Sequence, residues 1–263
     1  MITRRQFMHL VAFGMGGGVC SWSLAQAGMR PELGGGRQEE ASSPFVFTQV
    51  RYHGGDWDPH PASSPELLKE VDRRTSIVVS FRRQTLTLDD PELFSYPFLY
   101  LTGALDFTPF TEEEIAILRR FLNFGGFMLV NDASGYRGSP FERRIRTEVQ
   151  RIFPAQTLER LPFDHAVFRS YYLVRTVGGR RLVNPSLEGV TIDDWTPLIY
   201  CQNDLGGAWE RDALGNWRHE CLPGGEVQRL QSFMLGVNIV MYALTENYKK
   251  DKIHIPFINR KLG

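Results

Sequence analysis

Three short stretches carry residue types that could do chemistry. Phe127 to Gly135 reads FMLVNDASG, an apolar run that ends in Asn131, Asp132 and Ser134. A hydroxyl or carboxylate placed there would stand at the carboxyl end of a strand, where open α/β sheets bind ligands. A serine elbow wants small residues two positions before and after the nucleophile, but Ser134 has Asp132 and Tyr136. The His close downstream, His165, follows Asp164, and adjacent side chains on an extended chain point apart. Ser134 therefore reads better as a turn or cap than as a nucleophile. Asp132 is either a ligand-facing carboxylate on the rim or a cap for the following turn.

The second stretch is His53-Gly54-Gly55-Asp56-Trp57-Asp58-Pro59-His60. Imidazole and carboxylate groups suit zinc and other divalent ions. The spacing matches no known metal motif, so no metal ligand is assigned. A ligand-facing loop presenting Asp56 and Trp57, or a plain polar loop, are the other readings. In the third stretch, Asn203-Asp204 and Trp209-Glu210 flank Gly206-Gly207. Trp beside acid and amide groups is what sugar-binding clefts use, through ring stacking and hydrogen bonds to hydroxyls. A Gly-rich turn with a half-buried Trp is the alternative.

The elements that must position these residues are clearest at the centre of the chain. Phe45 to Tyr52 is dense in aromatic and β-branched residues and predicts a strand. Ser63-Ser64-Pro65-Glu66 opens a helix with Leu67, Leu68 and Val71 on one face. Ile77 to Phe81 predicts a buried strand and Gln84 to Leu88 a second short one. Phe98 to Leu101 is a strand, and Thr111 with Glu114 forms a capping box for a helix ended by Gly125-Gly126. Phe127 to Val130 is the next strand. Ser139 and Glu142 predict a second capping box, on a helix with Phe141, Ile145, Val149 and Ile152 facing inward. Arg143, Arg144, Arg146 and Arg151 form its solvated side. Alternating strands and helices with continuously apolar strands imply a parallel sheet covered on both faces.

Beyond Pro154 the pattern loosens. Leu182-Val183 and Pro197 to Tyr200 predict strands. A last helix carries an apolar stripe of Val227, Leu230, Met234, Val237, Met241 and Leu244, read as core. Its polar Gln228, Gln231, Ser232 and Asn238 argue against a membrane span.

The chain has 263 residues, 42% hydrophobic, enough for a buried core. Thirty Lys and Arg balance thirty Asp and Glu, which gives no basic surface for nucleic acid. At the start, Arg4-Arg5-Gln6-Phe7-Met8 precedes a Gly-diluted apolar segment and Ala25-Gln26-Ala27. This resembles a twin-arginine export signal. Residues 1–27 are expected to be that signal, 28–43 a flexible linker and 44–263 the folded domain, exported to the periplasm and possessing no membrane span. An ordinary secretory signal or an uncleaved anchor are the competing readings. Cys201 and Cys221 could join in an oxidising compartment or remain buried thiols.

The run YPFLYLTG…FTEEEIAILRRFLNFGGFMLVNDASG, from Tyr96 to Gly135, resembles the class I glutamine amidotransferase-like fold, a flavodoxin-like α/β sandwich. More closely, the chain resembles a bacterial family of exported proteins, domain of unknown function 4159. Gly55-Asp56-Trp57, Leu161 to His165, Asn203 to Glu210 and Leu235 to Leu244 carry that likeness with the central run. The resemblance implies a mostly parallel sheet with helices on both faces. Aligned on Gly135, it places Ala133 at the elbow where catalytic amidotransferases hold a cysteine, and alanine has no group to ionise. The expectation is thus a non-catalytic binding or interaction module, with no catalytic residue and no cofactor. Its partner would be a small polar ligand or an envelope protein. Asp56, Trp57, Asp132, Ser134, Asn203, Asp204 and Trp209 are the binding candidates. The alternative is a cell-envelope hydrolase using carboxylates or a bound metal on a polysaccharide or peptide.

Overall fold

The computed structural model describes residues 43–261. The expected signal and linker, apart from Ser43, lie outside the described residues. Seven strands form one sheet in the order β2-β1-β3-β4-β7-β6-β5. They are β1 (Phe45–Val50), β2 (Val79–Leu86), β3 (Phe98–Gly103), β4 (Phe127–Asp132), β5 (Glu159–Arg160), β6 (Glu188–Ile192) and β7 (Trp195–Cys201). The first four and β7 run parallel; β6 and β5 are antiparallel additions at one edge. Every residue of β3, β4 and β7 is buried, as strands covered on both faces must be.

The alternation along β4 shows the two layers. Phe127 and Leu129 face a core shared with α1 (Ser63–Arg74), α4 (Leu205–Trp209) and α5 (Gly225–Lys261). Met128 and Val130 face the opposite core, closed by α2 (Glu112–Asn123) and α3 (Pro140–Ile152). The sheet is thus the middle of an α/β flavodoxin-like sandwich. Each fully buried Leu or Ile on these helices contributes about 1.5–3 kcal/mol.

Local signals explain the central helices. Thr111 Oγ1 accepts from Glu114 N at 3.1 Å and the Glu114 carboxylate accepts from Thr111 N at 2.7 Å, a complete capping box. Gly125 takes φ 107° just past α2. The expected box at Ser139 is half made. Ser139 Oγ accepts from Glu142 N, but the Glu142 carboxylate accepts from Gly138 N and pairs with Arg146. The arginines of α3 are likewise engaged: Arg146 grips Glu188 of β6 through two bonds, and Arg151 reaches Glu112 of α2.

Three expectations change. The expected strands Ile77 to Phe81 and Gln84 to Leu88 become the single edge strand β2 (Val79–Leu86), with Phe81 on it and Val78 just before it exposed, because no neighbour covers that edge. Leu182-Val183 is not a strand; only Arg181 bridges, to Leu222. On α5, Val237 of the expected stripe is buried with Leu235, Ile239, Val240 and Tyr242, and Met234, Met241 and Leu244 pack against that core, while Val227 and Leu230 point to solvent. The shift follows from polar residues. Buried Gln228, Ser232 and Asn238 turn inward to hold the irregular chain before β6: Gln228 Nε2 donates to Gly179 O, Ser232 Oγ accepts from Gly179 N, and Asn238 serves Val167, Tyr171 and Tyr172. Among the described residues, no helix is long and apolar enough to cross a membrane.

Candidate functional site

The carboxyl end of β7 leads directly into a charged cluster. Asp204 adopts a left-handed conformation (φ 55°, ψ 71°), which Asp tolerates better than most residues, and caps α4 by accepting from Gly207 N at 2.9 Å. A Cβ at Gly207 would collide with the Asp204 carboxylate and Arg180, so only glycine leaves room for the pair. Arg180 Nε donates to Asp204, and Arg180 Nη2 donates to Ala133 O at 3.0 Å. Its backbone is held beside β7's exit, with Arg180 N donating to Asp204 O at 2.8 Å and Arg181 N to Asn203 O at 3.1 Å. Gly179, at φ 137°, permits that approach, since a Cβ would strike Asn203.

His60, from the loop after β1, bridges the cluster. Its Nε2 lies 3.1 Å from the Asp204 carboxylate and its Nδ1 lies 3.0 Å from Glu210 Oε2. His219 Nε2 lies 3.2 Å from the same Glu210 oxygen. Asp204 and Glu210 are fully buried, His60 nearly so, and His219 is partly exposed. Burial opposes charge on His60, but Asp204 and then Glu210 outweigh it and raise its pKa. Burial likewise works to raise Asp204, yet His60 and Arg180 together hold it below the usual carboxylate range. His219 is lowered, by burial first and then by the positive His60 and Arg180. His60, Glu210 and His219 place their ligand atoms within 4.8 Å of one another and could hold a metal ion.

The predicted residues separate into two groups. Asp204 belongs to the cluster, and Asn203 supports it from behind, its Oδ1 accepting from Val183 N and Asn184 N. The others serve the framework. Asp56 and Asp132 lie at the same carboxyl edge, but Asp56 Oδ1 accepts from Ala104 N and Leu105 N in the loop after β3. Trp57 packs against the α2/α3 core. Asp132 is fully buried; its Oδ1 accepts from Ser134 N and its Oδ2 from Ser139 Oγ and Tyr200 Oη. Ser134 Oγ is spent on the backbone of Tyr136. Trp209 is fully buried and its indole N–H donates to Ser232 O, so its ring has no face for a sugar. Cys201 and Cys221 are buried free thiols, with Cys201 pushed up to about 12 by burial.

Of the loop His53 to His60, His60 alone enters the cluster. His53 is exposed and Asp58 forms a two-bond ion pair with Arg83, both distances 2.7 Å. Sequence reasoning missed Arg180 and His219, and it noted His60 and Glu210 in their stretches without making either a binding candidate. The Gly178-Gly179 pair before Arg180 signals a close approach, but nothing near His219 points to Glu210 or His60.

Fold and site thus define an α/β sandwich with a buried charged cluster at its carboxyl edge, and no curated protein matches the chain. The family described as Domain of unknown function (DUF4159) matches residues 46–244, and the chain belongs to that family.

Proposed function

We propose that the protein is an exported binding domain on an amidotransferase-like scaffold that has lost its nucleophile, and that it takes a small polar ligand or an envelope protein at the carboxyl edge of the sheet. The observation that carries this is the contrast across one edge. Ala133, at the elbow position, is buried, with its N–H donating to Gly103 O and its carbonyl accepting from Arg180. The ionisable groups gather instead after β7, around Asp204 and Glu210. Without a thiol or hydroxyl at the strand end, acyl transfer has no attacking group.

The test pairs a negative with a positive. The full chain should hydrolyse glutamine no faster than a heat-inactivated control. A thermal-shift panel of monosaccharides, disaccharides and dipeptides should contain a compound that stabilises it saturably. At a hundredfold excess over Kd, the gain is about 2.7 kcal/mol, roughly 5–10 °C for a domain of this size. Measurable glutamine turnover would end the proposal. Export is checked separately: with Arg4-Arg5 changed to Lys-Lys, precursor should accumulate in the cytoplasm, and normal export of that variant would remove the twin-arginine reading.

A second reading has one observation in its favour. Two imidazoles converging on the Glu210 carboxylate support the alternative of a hydrolase working through a bound metal.

A further inference from the structure

His60, Glu210 and His219 come from the loop after β1, the residue closing α4 and the segment before α5. No local pattern brings them together; the fold does. His60 Nδ1 and His219 Nε2 lie 3.0 and 3.2 Å from one atom, Glu210 Oε2. In a tetrahedral site with bonds of ~2.05 Å, ligand atoms stand about 3.3 Å apart; both nitrogens lie at about that spacing from Glu210 Oε2, and all three ligand atoms lie within 4.8 Å of one another.

The surroundings supply two independent observations. The first is behind His60, whose Nε2 faces the Asp204 carboxylate at 3.1 Å. That contact orients the ring and gives a hydrogen on Nε2 its acceptor, so that with a metal bound Nδ1, which faces Glu210, would be the ligating nitrogen. A carboxylate backing the far nitrogen of an imidazole is how proteins orient metal-binding histidines. Asp204 is itself held by Arg180 and by Gly207 N. The second concerns Glu210, which is fully buried. Its Oε2 faces both histidines, while its Oε1 has no hydrogen-bond partner. Most buried carboxylate oxygens in folded proteins find a partner. A cation held among the three groups and taken by both oxygens of the Glu210 carboxylate would give Oε1 a partner as well as Oε2.

We propose that His60, His219 and Glu210 bind a divalent transition metal of the zinc class, with Asp204 as the positioning residue behind His60. Two imidazoles and one carboxylate suit zinc and cobalt over calcium or magnesium, which favour all-oxygen sites. His219, the exposed member, gives the ion its way in. Three protein ligands leave a coordination position for an atom of a bound molecule, which is the pattern of open zinc sites. The proposal rests on the reading that the ligand site lies at this edge, and it names what that site uses to hold a ligand.

The test uses the full chain, stripped with a chelator and titrated with Co²⁺ and with Zn²⁺. One equivalent of Co²⁺ should bind and give visible d–d absorption, and either metal should raise Tm. His219→Ala, chosen because that side chain is partly exposed and its loss leaves the core intact, should weaken binding by at least tenfold. Asp204→Asn, checked for folding by circular dichroism, should weaken it by 10–100-fold while keeping the first ligands in place. Asp212→Asn, an exposed carboxylate nearby, should change nothing. The proposal is overturned if the folded wild type binds neither metal, or if His219→Ala binds Co²⁺ as tightly as the wild type does. The two readings fail differently. A sugar or dipeptide that binds a protein found to take up neither metal would keep the binding domain and remove the metal, whereas metal binding with no organic ligand would do the reverse.

Discussion

Two aspartates stand at the carboxyl ends of neighbouring parallel strands, Asp132 closing β4 and Asp204 just beyond β7, and both are fully buried. Their surroundings differ. Asp132 receives neutral donors, from Ser134 N, Ser139 Oγ and Tyr200 Oη, and burial raises its pKa despite them. Asp204 receives Arg180 and His60, and its pKa falls. Burial alone thus says little about what a carboxylate does. Neutral donors make a carboxylate that ties a turn together, whereas cationic partners make one that stays charged and can orient an imidazole.

The comparison can be broken by mutation, and the largest effect should fall on the charged side. Asp204→Ala leaves Arg180 and His60 facing an apolar stub and should destabilise the fold by about 3–5 kcal/mol in urea unfolding, as for a buried pair deprived of one partner. A loss under 1 kcal/mol would show that the cluster is solvated in solution. Asp132→Ala should cost less, about 1–3 kcal/mol, because it strands only neutral donors.

Asp132→Asn sharpens the contrast through pH. Because the folded protein raises Asp132, it binds that proton more tightly than the unfolded chain does. The stabilisation this gives is complete below the ordinary carboxylate range and is lost as pH rises through the raised value. Asn cannot lose a proton, so the stability of Asp132→Asn relative to wild type should climb with pH across that window. A pH-independent difference would contradict the raised value. The smallest effect belongs to Ser134→Ala, which removes one hydroxyl from a turn and should stay within about 0.5 kcal/mol. It should also spare any turnover the protein proves to have.

How much of this was legible depended on distance along the chain. The Thr111–Glu114 capping box, Gly125 and the apolar runs of β3 and β4 act within a few residues, so the parallel sheet could be read directly. The core face of α5 could be read only in part. The later part of its expected stripe, Met234 to Leu244, does meet the core, but Val227 and Leu230 at its start do not, and Gln228, Ser232 and Asn238 face inward because a loop segment far upstream needs their hydrogen bonds. The site was half legible. Asp204 and Glu210 stood out beside Gly206-Gly207, and His60 within its polar loop, yet His60 and Glu210 lie 150 positions apart and meet only once β1 and β7 share a sheet. Asp56, Trp209 and Ser134 had the right chemistry for a site, but the fold spends them on backbone donors and acceptors.

The Asp56 contact has a wider consequence. The sheet's strand order reverses between β1 and β3, since the chain goes from β1 outward to β2 and then back across to β3. Sheets of this kind ordinarily open a crevice at that reversal and bind nucleotides or flavins in it. Here the crevice is stitched shut. Asp56 clasps Ala104 and Leu105, Tyr52 Oη donates to Thr102 O at 2.8 Å, Thr108 N donates to His53 O, and the Tyr52 and Phe107 rings pack with centroids 4.5 Å apart. The place where a flavodoxin-like sheet would seat a flat cofactor is filled by the protein's own side chains, and the charged cluster forms where His60, from the loop after β1, meets the chain as it leaves β7.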